Sequence, residues 1–367
     1  MTTYKTLNED SLDFLKKLLN THSPSGYEID AAKVFSNYMQ PFCDTVSSDI
    51  LCNTVAVLSP KANFKVMLAA HYDEVGLQVT YIDDDGFIYF RPVGGIDYSS
   101  LPGSMVKILS CQGHIHGIIG QKPLSLRRKN DGVSISKIQD LWIDTGMEEV
   151  DEIKSKVPIG TFVAILANYK FLSNHRIVSK ALDDKIGVFI VAETMKKLSK
   201  SNIAIGVYGV ATSQEEIGTR GITTAAYQIS PKLGIICDVA TASDTPNSER
   251  KLYGELKLGK GPGICRGADT NYNLVQLIES KAREINIPYQ NTVGHQVAGG
   301  TDVARAQLTR NGIATSLISI PNRYMHSATE ICDLRDIDNT IFLLSETIKT
   351  LKGNENFLPI SNEPSSS

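Results

Sequence analysis

The sequence lacks both a long apolar run and closely spaced cysteines. No apolar stretch approaches the roughly 18–20 residues that a membrane-spanning helix needs. The polar segment 1–10 lacks the basic and apolar regions of a secretory signal. The six cysteines stand singly, without a CxxC pair, which favours buried reduced thiols over a disulfide framework or a zinc knot. We therefore expect a cytoplasmic protein with no membrane partner.

A strong net charge of either sign is also missing. The 37 basic and 40 acidic side chains leave a formal charge of −3, so no electrostatic field favours nucleic acid or an anionic membrane. Apolar residues make up 42% of the 367 residues, enough for a globular protein with a large core. The composition argues against nucleic acid and favours a small, neutral-to-acidic partner.

The hydrophobic pattern predicts an α/β fold that is interrupted by a β insertion. Helical spacing predicts two amphipathic helices at residues 11–19 and 30–39, and apolar runs predict strands at 54–58 and 65–70. Short β-like runs separated by turn residues then fill residues 76–170, as in a small barrel or sandwich. Helices and strands are predicted again after this region (helices 186–198, 271–285, 302–308 and 336–351; strands 203–211, 233–237 and 315–320).

This pattern divides the chain into four parts. Residues 1–75 and 173–355 are predicted to form one mixed-sheet α/β catalytic domain. Residues 76–172 are predicted to form an inserted small β-barrel domain. Residues 356–367 are polar and contain two prolines and three terminal serines, so we expect a flexible tail.

Five side chains of the kinds that bind divalent cations lie at predicted strand ends or helix starts: His71, Asp183, Glu216, Asp238 and His326. Because ligands of open α/β sheets bind outside the carboxyl ends of the strands, we expect these residues to meet at one edge. Alone, each has an ordinary explanation, such as a helix cap or a strand terminator. Their joint occurrence in this order predicts a metal site.

A dinuclear hydrolytic site holds two cations roughly 3.5–4 Å apart, bridged by a carboxylate and a water. We expect Asp183 to bridge the two ions. His71 and Asp238 would complete one ion, and Glu216 and His326 the other. Zinc, cobalt and manganese all accept this ligand set, so the identity of the metal stays open.

Two further carboxylates are assigned roles beside the ligands. Asp73 follows His71 by two residues, so on an extended backbone it is expected to accept the second imidazole N–H and fix the tautomer. Glu215 is next to Glu216 and cannot reach the same ion. We therefore expect Glu215 to act as the general base that takes a proton from the bridging water, helped by a pKa that desolvation raises.

At these residues the chain resembles the metallo-aminopeptidase family that contains the tetrahedral, glutamyl and deblocking aminopeptidases. The resemblance covers nearly the whole chain. It rests on SPSGYE at residues 23–28, HYDEVG at 71–76, KALDDK at 180–185, QEEIG at 214–218, GGTD at 299–302 and HS at 326–327. The resemblance implies an aminopeptidase acting on peptides, with the same ligand, bridging and catalytic roles for the residues named above.

The insertion resembles the PDZ-like β domain of that family, through PVGG at residues 92–95 and GIIGQKP at 117–123. The resemblance implies that this domain helps to assemble subunits into a homo-oligomer, typically a hollow tetrahedral dodecamer. The segment LSLRRK at residues 124–129 is more basic than expected in such a domain.

Other functions remain open on the residues alone. Related two-metal folds include deacylases and carboxypeptidase-like amidohydrolases, and a non-catalytic assembly with structural metals is also possible. A glycosidase needs two carboxylates about 5–9.5 Å apart across a glycosidic bond, whereas adjacent Glu215 and Glu216 point apart on an extended backbone. The preferred N-terminal residue is open, because Arg266, Arg283 and Arg323 cannot be assigned to a pocket.

Three weaker features complete the sequence analysis. The segment 299–302 is predicted to be a tight turn that caps the helix starting near Asp302, and the resemblance implies that it lines the cleft. His295 is either a cleft residue or a surface histidine. Residues 259–263 lack the Lys-Ser/Thr ending of a phosphate loop and are predicted to be a turn-rich loop.

Overall fold

The computed structural model describes residues 4–126, 137–166, 168–293 and 300–360. Its helices are α1 (Glu9–Leu19), α2 (Ile29–Met39), α3 (Val150–Lys156), α4 (Leu182–Leu198), α5 (Arg220–Ile229), α6 (Arg250–Tyr253), α7 (Tyr272–Glu284), α8 (Asp302–Gln307) and α9 (Leu334–Thr350). His295, Gly299 and the basic residues Arg127, Arg128 and Lys129 lie outside the described residues.

The first nine strands are β1 (Thr45–Ser48), β2 (Thr54–Leu58), β3 (Lys65–His71), β4 (Gly76–Ile82), β5 (Ile88–Val93), β6 (Met105–Ile108), β7 (Ile115–Gln121), β8 (Leu141–Asp144) and β9 (Phe162–Ile165). The remaining strands are β10 (Lys170–Phe171), β11 (Arg176–Ser179), β12 (Gly206–Thr212), β13 (Leu233–Thr241), β14 (Gly263–Cys265), β15 (Gln290–Thr292), β16 (Ala314–Asn322) and β17 (Glu330–Asp333).

The α/β region, formed by the chain before and after the insertion, is built on an eight-stranded mixed sheet in the order β1-β2-β12-β3-β13-β16-β14-β15. Its four central strands, β12, β3, β13 and β16, run parallel to one another. Strand β3 is apolar and buried from Val66 to Ala70, as expected for a strand covered on both faces. Because the four strands are parallel, their carboxyl ends lie at the same edge of the sheet.

Helices cover both faces of this sheet. On one face, α4 packs against the central strands and is itself covered by α1, α2 and α9. This position explains why α4 is apolar on nearly every side instead of along one stripe. On the other face, α5 and α8 pack over β3, β12, β13 and β16.

The insertion is a closed six-stranded barrel in the order β4-β5-β8-β7-β6-β9. Its interior is a separate apolar cluster that includes Leu77, Ile88, Val106, Ile143 and Val163. The predicted α/β fold with an inserted small β-barrel is therefore confirmed. The proposed domain limits at residues 75, 172 and 355 remain a prediction.

Several local predictions need correction. The strand predicted at residues 233–237 continues to Thr241, so Asp238 lies inside β13 and does not follow it. Helix α4 begins at Leu182, four residues earlier than predicted, but Asp183 and Asp184 have non-helical backbone angles. Strand β12 begins at Gly206 instead of residue 203.

No disulfide joins the six cysteines, which all lie among the described residues, but the cysteines are not all buried. Cys237, Cys265 and Cys332 are buried, Cys43 and Cys52 are half-buried, and Cys111 is exposed. Cys111 is exposed because it lies in the turn between β6 and β7 and not in a strand of the barrel. The beginning of the predicted tail is also attached, since the carbonyl oxygen of Phe357 accepts a hydrogen bond from Asn271 Nδ2 at 2.9 Å.

The helices are also too short or too polar for a bilayer. Across the described ranges, none has a stretch that could cross a membrane.

Candidate metal centre

The five predicted ligand residues lie together at the carboxyl edge of the parallel strands. His71 is the last residue of β3, and Glu216 follows β12 in a loop. Asp238 is inside β13, and His326 lies between β16 and β17. Asp183 comes from the irregular start of α4. Parallel pairing of β12, β3, β13 and β16 therefore brings these segments to one place.

The first trio consists of His71, Asp183 and Asp238. One potential ligand atom from each residue lies within 4.8 Å of the others. Nε2 of His71 is 3.2 Å from Asp183 Oδ1 and 3.8 Å from Asp238 Oδ1. All three side chains are buried, so their ligand atoms face one another and not bulk water.

The second trio consists of Asp183, Glu216 and His326, and it meets the same distance criterion. Nε2 of His326 is 3.2 Å from Asp183 Oδ2 and 3.3 Å from Glu216 Oε2. The two oxygens of the Asp183 carboxylate thus face one imidazole each. This arrangement is what a bridging carboxylate between two cations requires.

Asp73 contacts His71, but the closer acceptor is its backbone. Nδ1 of His71 lies 3.1 Å from the Asp73 carbonyl oxygen and 3.5 Å from Asp73 Oδ1. A proton on Nδ1 leaves the Nε2 lone pair of His71 directed toward Asp183 and Asp238. The sequence prediction named the carboxylate as the acceptor; the carbonyl oxygen has the shorter contact.

The Asp73 carboxylate holds the loop that carries the two adjacent glutamates. Asp73 Oδ1 accepts from the N–H of Glu215 at 2.9 Å, and Oδ2 accepts from the N–H of Glu216 at 3.1 Å. Oδ2 also accepts from Ser25 Oγ at 2.5 Å. Glu28 Oε1 accepts from the N–H of Gln214, the residue before, at 3.2 Å. Three successive N–H groups therefore point at buried carboxylates, which fixes where each glutamate side chain projects.

Glu330 is a buried acid that the sequence analysis missed. Its Oε2 accepts from the N–H of Asp183 at 2.8 Å and from Asn322 Nδ2 at 3.2 Å, and its Oε1 accepts from the N–H of His326 at 3.2 Å. The Glu330 carboxylate therefore fixes the backbone of Asp183, which both trios share, and of His326 in the second trio. Its position four residues after His326 was the only available signal, because strand β17 is too short to show a pattern.

The pKa values of three groups in and around the centre are raised, for different reasons. Burial raises the pKa of Glu215 well above its ordinary value; the neighbouring imidazole of His71 lowers it, and the carboxylates of Asp238 and Asp302 raise it further. Burial and the nearby Asp183 carboxylate raise the pKa of Glu330 to about 8. Hydrogen bonds to Asp183 and Glu216 raise the pKa of His326 to about 11, against the effect of burial.

The lysines closest in sequence to Asp183 contact a different buried carboxylate, Glu74. Lys180 forms a buried ion pair with Glu74, and Lys185 Nζ lies 3.5 Å from Glu74 Oε2. These two ammonium groups lower the pKa of Glu74 to about 2, although burial opposes them. Both lysine side chains therefore contact the Glu74 carboxylate.

The residues present fit a pair of divalent cations. Within the part of the chain that the structure describes, the buried atoms Glu216 Oε1, Asp302 Oδ1 and Asp184 Oδ2 have no hydrogen-bond partner. Uncompensated buried carboxylates are costly unless a cation or a proton neutralises them. Nitrogen and oxygen ligands in two connected trios are the set that zinc, cobalt and manganese accept.

Asp302 is a further buried acid at this edge. Its Oδ2 accepts from Thr212 Oγ1 at 2.7 Å, and burial raises its pKa to about 7 although His71 and this hydrogen bond lower it. Thr301 caps α8 by accepting from the N–H of Val303 at 3.3 Å, as predicted for this turn. Gly259 and Gly261 are in a loop whose N–H groups donate to Asp336, and not in a phosphate-binding loop.

Known proteins resemble this chain in both sequence and fold. A family model described as M42 glutamyl aminopeptidase matches residues 52–343. A lysyl aminopeptidase of Pyrococcus furiosus is 36% identical over 346 residues, which cover 93% of this chain and 97% of that protein. A crystal structure of a TET aminopeptidase from an archaeon of marine sediment superimposes with a TM-score of 0.89 at 30% identity, covering 94% of this chain and 98% of the other.

A third relative is described by its assembly. The TET1 peptidase of Pyrococcus horikoshii, which can assemble into a tetrahedron or a large octahedral shell, superimposes with a TM-score of 0.82 at 30% identity. The alignment covers 93% of this chain and 100% of the other.

The substitution Glu330→Gln tests how the centre is held. An amide presents only one acceptor oxygen, so one of the two backbone N–H groups of Asp183 and His326 loses its acceptor and meets an NH₂ group. We expect cation affinity to fall by about 10–100-fold, as for other groups that orient metal ligands. Calorimetric titration of the metal-free protein with Co²⁺ measures this loss.

The matched control for this variant is Glu284→Gln, the same change at an exposed glutamate on α7. Equal cobalt affinity for wild type and Glu330→Gln would show that Glu330 does not position the ligands.

Proposed function

The chain belongs to the M42 glutamyl aminopeptidase family, and from that premise we propose that it is a metal-dependent enzyme that removes N-terminal residues from peptides. The observation that carries the proposal is the pair of trios that share Asp183, with Glu215 buried beside them. A purely structural metal site would not need a buried carboxylate that neither binds a cation nor holds a ligand residue in place.

Each residue of the centre has a role in this proposal. Asp183 would be shared by two divalent cations, His71 and Asp238 would hold one of them, and Glu216 and His326 would hold the other. Zinc, cobalt or manganese held there supplies Lewis acidity toward the scissile carbonyl and lowers the pKa of water. The protein's own contribution is to fix the ligands and to move the proton.

Glu215 is the general base in the proposed reaction. Its carboxylate accepts a proton from the attacking water and returns it to the leaving amine. Burial raises its pKa, which makes the carboxylate a stronger base at neutral pH. Asp73 supports this step because its Oδ1 accepts from the backbone N–H of Glu215 at 2.9 Å, which fixes the backbone from which the Glu215 side chain projects.

The charges of the region favour an amino terminus over a carboxyl terminus as the bound end of the substrate. Arg323 Nη2 lies 2.8 Å from Asp244 Oδ2, and Arg266 and Arg283 both pair with Glu279. Each of the three arginines considered above therefore has an acidic partner. A free ammonium group is attracted to the acid-rich edge, whereas a C-terminal carboxylate finds no unpaired cation among them.

Removal of the general base is the sharpest test. We expect Glu215→Gln to lower kcat by about 10²–10⁴-fold, because the amide cannot accept the proton. Cobalt binding to the metal-free protein should stay close to wild type, since Glu215 is not one of the proposed ligands.

Glu284→Gln again serves as the control and should hydrolyse at the wild-type rate. Wild-type turnover by Glu215→Gln would assign the base to another residue.

Metal removal and substrate blocking distinguish the aminopeptidase from its alternatives. Chelated protein should be inactive on aminoacyl amides and regain activity with Zn²⁺, Co²⁺ or Mn²⁺. N-acetylated versions of the same substrates should not be hydrolysed. Activity on blocked but not free termini would favour a deacylase, and glycan cleavage by chelated protein would favour a glycosidase.

We also propose that the protein is a homo-oligomer, with a tetrahedral dodecamer as the specific expectation. Support comes from the P. horikoshii TET1 peptidase, whose structure this chain matches over nearly its full length. Sedimentation velocity should give a mass near twelve times the 40.1 kDa chain. A monomeric mass would contradict the proposal.

A further inference from the structure

His326 is held between the two parts of the molecule. Its N–H donates to Glu330 of the α/β region, while its carbonyl oxygen accepts from the N–H of Asp97 at 2.9 Å. Asp97 belongs to the barrel, in the loop between β5 and β6. His326 has a left-handed backbone with φ of 61°. A residue other than glycine keeps such a conformation only where its surroundings fix it, so both hydrogen bonds matter.

The same loop also contacts side chains of the second trio. A Cβ atom added to Gly95 would lie 3.4 Å from His326 Nδ1 and 3.7 Å from Cε1. A Cβ atom added to Gly94 would lie 3.3 Å from Glu216 Cβ. Because Nε2 of His326 faces Asp183 and Glu216, Gly95 lies against the opposite edge of the ring. The two glycines let the barrel backbone approach both side chains closely.

The barrel core anchors this loop. Ile96, between Gly95 and Asp97, is 6% exposed and belongs to the apolar cluster inside the barrel. Ala328, two residues after His326, packs against the same cluster. The position of His326 is therefore tied to the packing of the barrel interior.

The contacts of the loop are selective. Among the residues that the structure describes, its hydrogen bonds and glycine contacts reach Glu216 and His326, but not His71 or Asp238. A change in the loop should therefore act on one ligand set and leave the other in place.

We propose that residues 94–97, here named the brace, are a positioning element of the second trio and set the affinity of one cation of the pair. This inference rests on the proposed function, because it requires that the two trios bind cations. It gives the barrel a direct part in the metal centre. The brace acts through Glu216 and His326.

Two substitutions at position 97 isolate the N–H group. The φ of Asp97 is −77°, which proline can adopt, so Asp97→Pro removes the N–H without demanding a different φ. Asp97 Oδ1 also accepts from the N–H of Ser99 at 2.9 Å and from its Oγ at 2.7 Å. Asp97→Ala removes those bonds and keeps the N–H. The difference between the two variants therefore reports the bond to His326.

Calorimetric titration of the metal-free proteins with Co²⁺ is the measurement. Wild type should bind two ions per subunit. Asp97→Pro should bind one ion as wild type does and the other about tenfold or more weakly than Asp97→Ala, in line with other groups that orient ligands. Equal affinities for both ions in the two variants would overturn the inference while leaving the proposed function intact.

A second pair controls for general damage to the barrel. Ile96→Ala and Ile108→Ala remove the same atoms from the same core, but Ile108 lies on β6, outside the brace. Both should lower the melting temperature of the metal-free protein. Only Ile96→Ala should also weaken binding of the cation that the second trio holds. Equal weakening by Ile108→Ala would overturn the inference. Wild type that binds no cation would overturn the proposed function itself.

Discussion

The structure depends on the burial of several carboxylates at one edge of a parallel sheet. Buried acids are stable only when cations, protons or hydrogen-bond donors compensate them. This protein supplies donors largely from its backbone. Asp73 accepts two N–H groups, Glu330 accepts two, and Glu28 accepts at least one from the same loop. These acids fix the backbone of the segments whose own acids face the centre.

The parts of the molecule that rest on apolar runs could be predicted from the sequence. Strand β3 is an uninterrupted apolar run that ends in a histidine, so both its burial and the location of His71 followed from the pattern. The helices α1, α2, α7 and α9 have a clear 3.6-residue period and lie within two residues of their predicted limits. The meeting of distant polar residues followed from the rule that parallel strands share their carboxyl edge.

The parts that depend on pairing between distant segments could not be predicted. Strand β8 has only four residues, too few for a visible alternation, and it is defined by its partners β5 and β7. Strand β13 continues past Asp238 because β16 pairs with it as far as Thr241. The sequence alone hides this extension, because aspartate is uncommon inside strands. Glu330 and the loop at Asp97 gain their importance only through backbone groups of residues elsewhere in the chain. Single-sequence patterns do not record such contacts.

The strand order of the large sheet has a consequence for how the chain folds as it is made. Strand β3 belongs to the first 71 residues, yet its two neighbours are β12 and β13, which end at Thr212 and Thr241. During synthesis, more than half of the polypeptide must therefore be made before β3 can pair with a strand on each side. The barrel, whose strands all pair with one another between residues 76 and 165, can close in the meantime. Such delayed, non-local pairing slows folding and exposes an apolar strand, so the nascent chain is expected to need protection from aggregation during this interval.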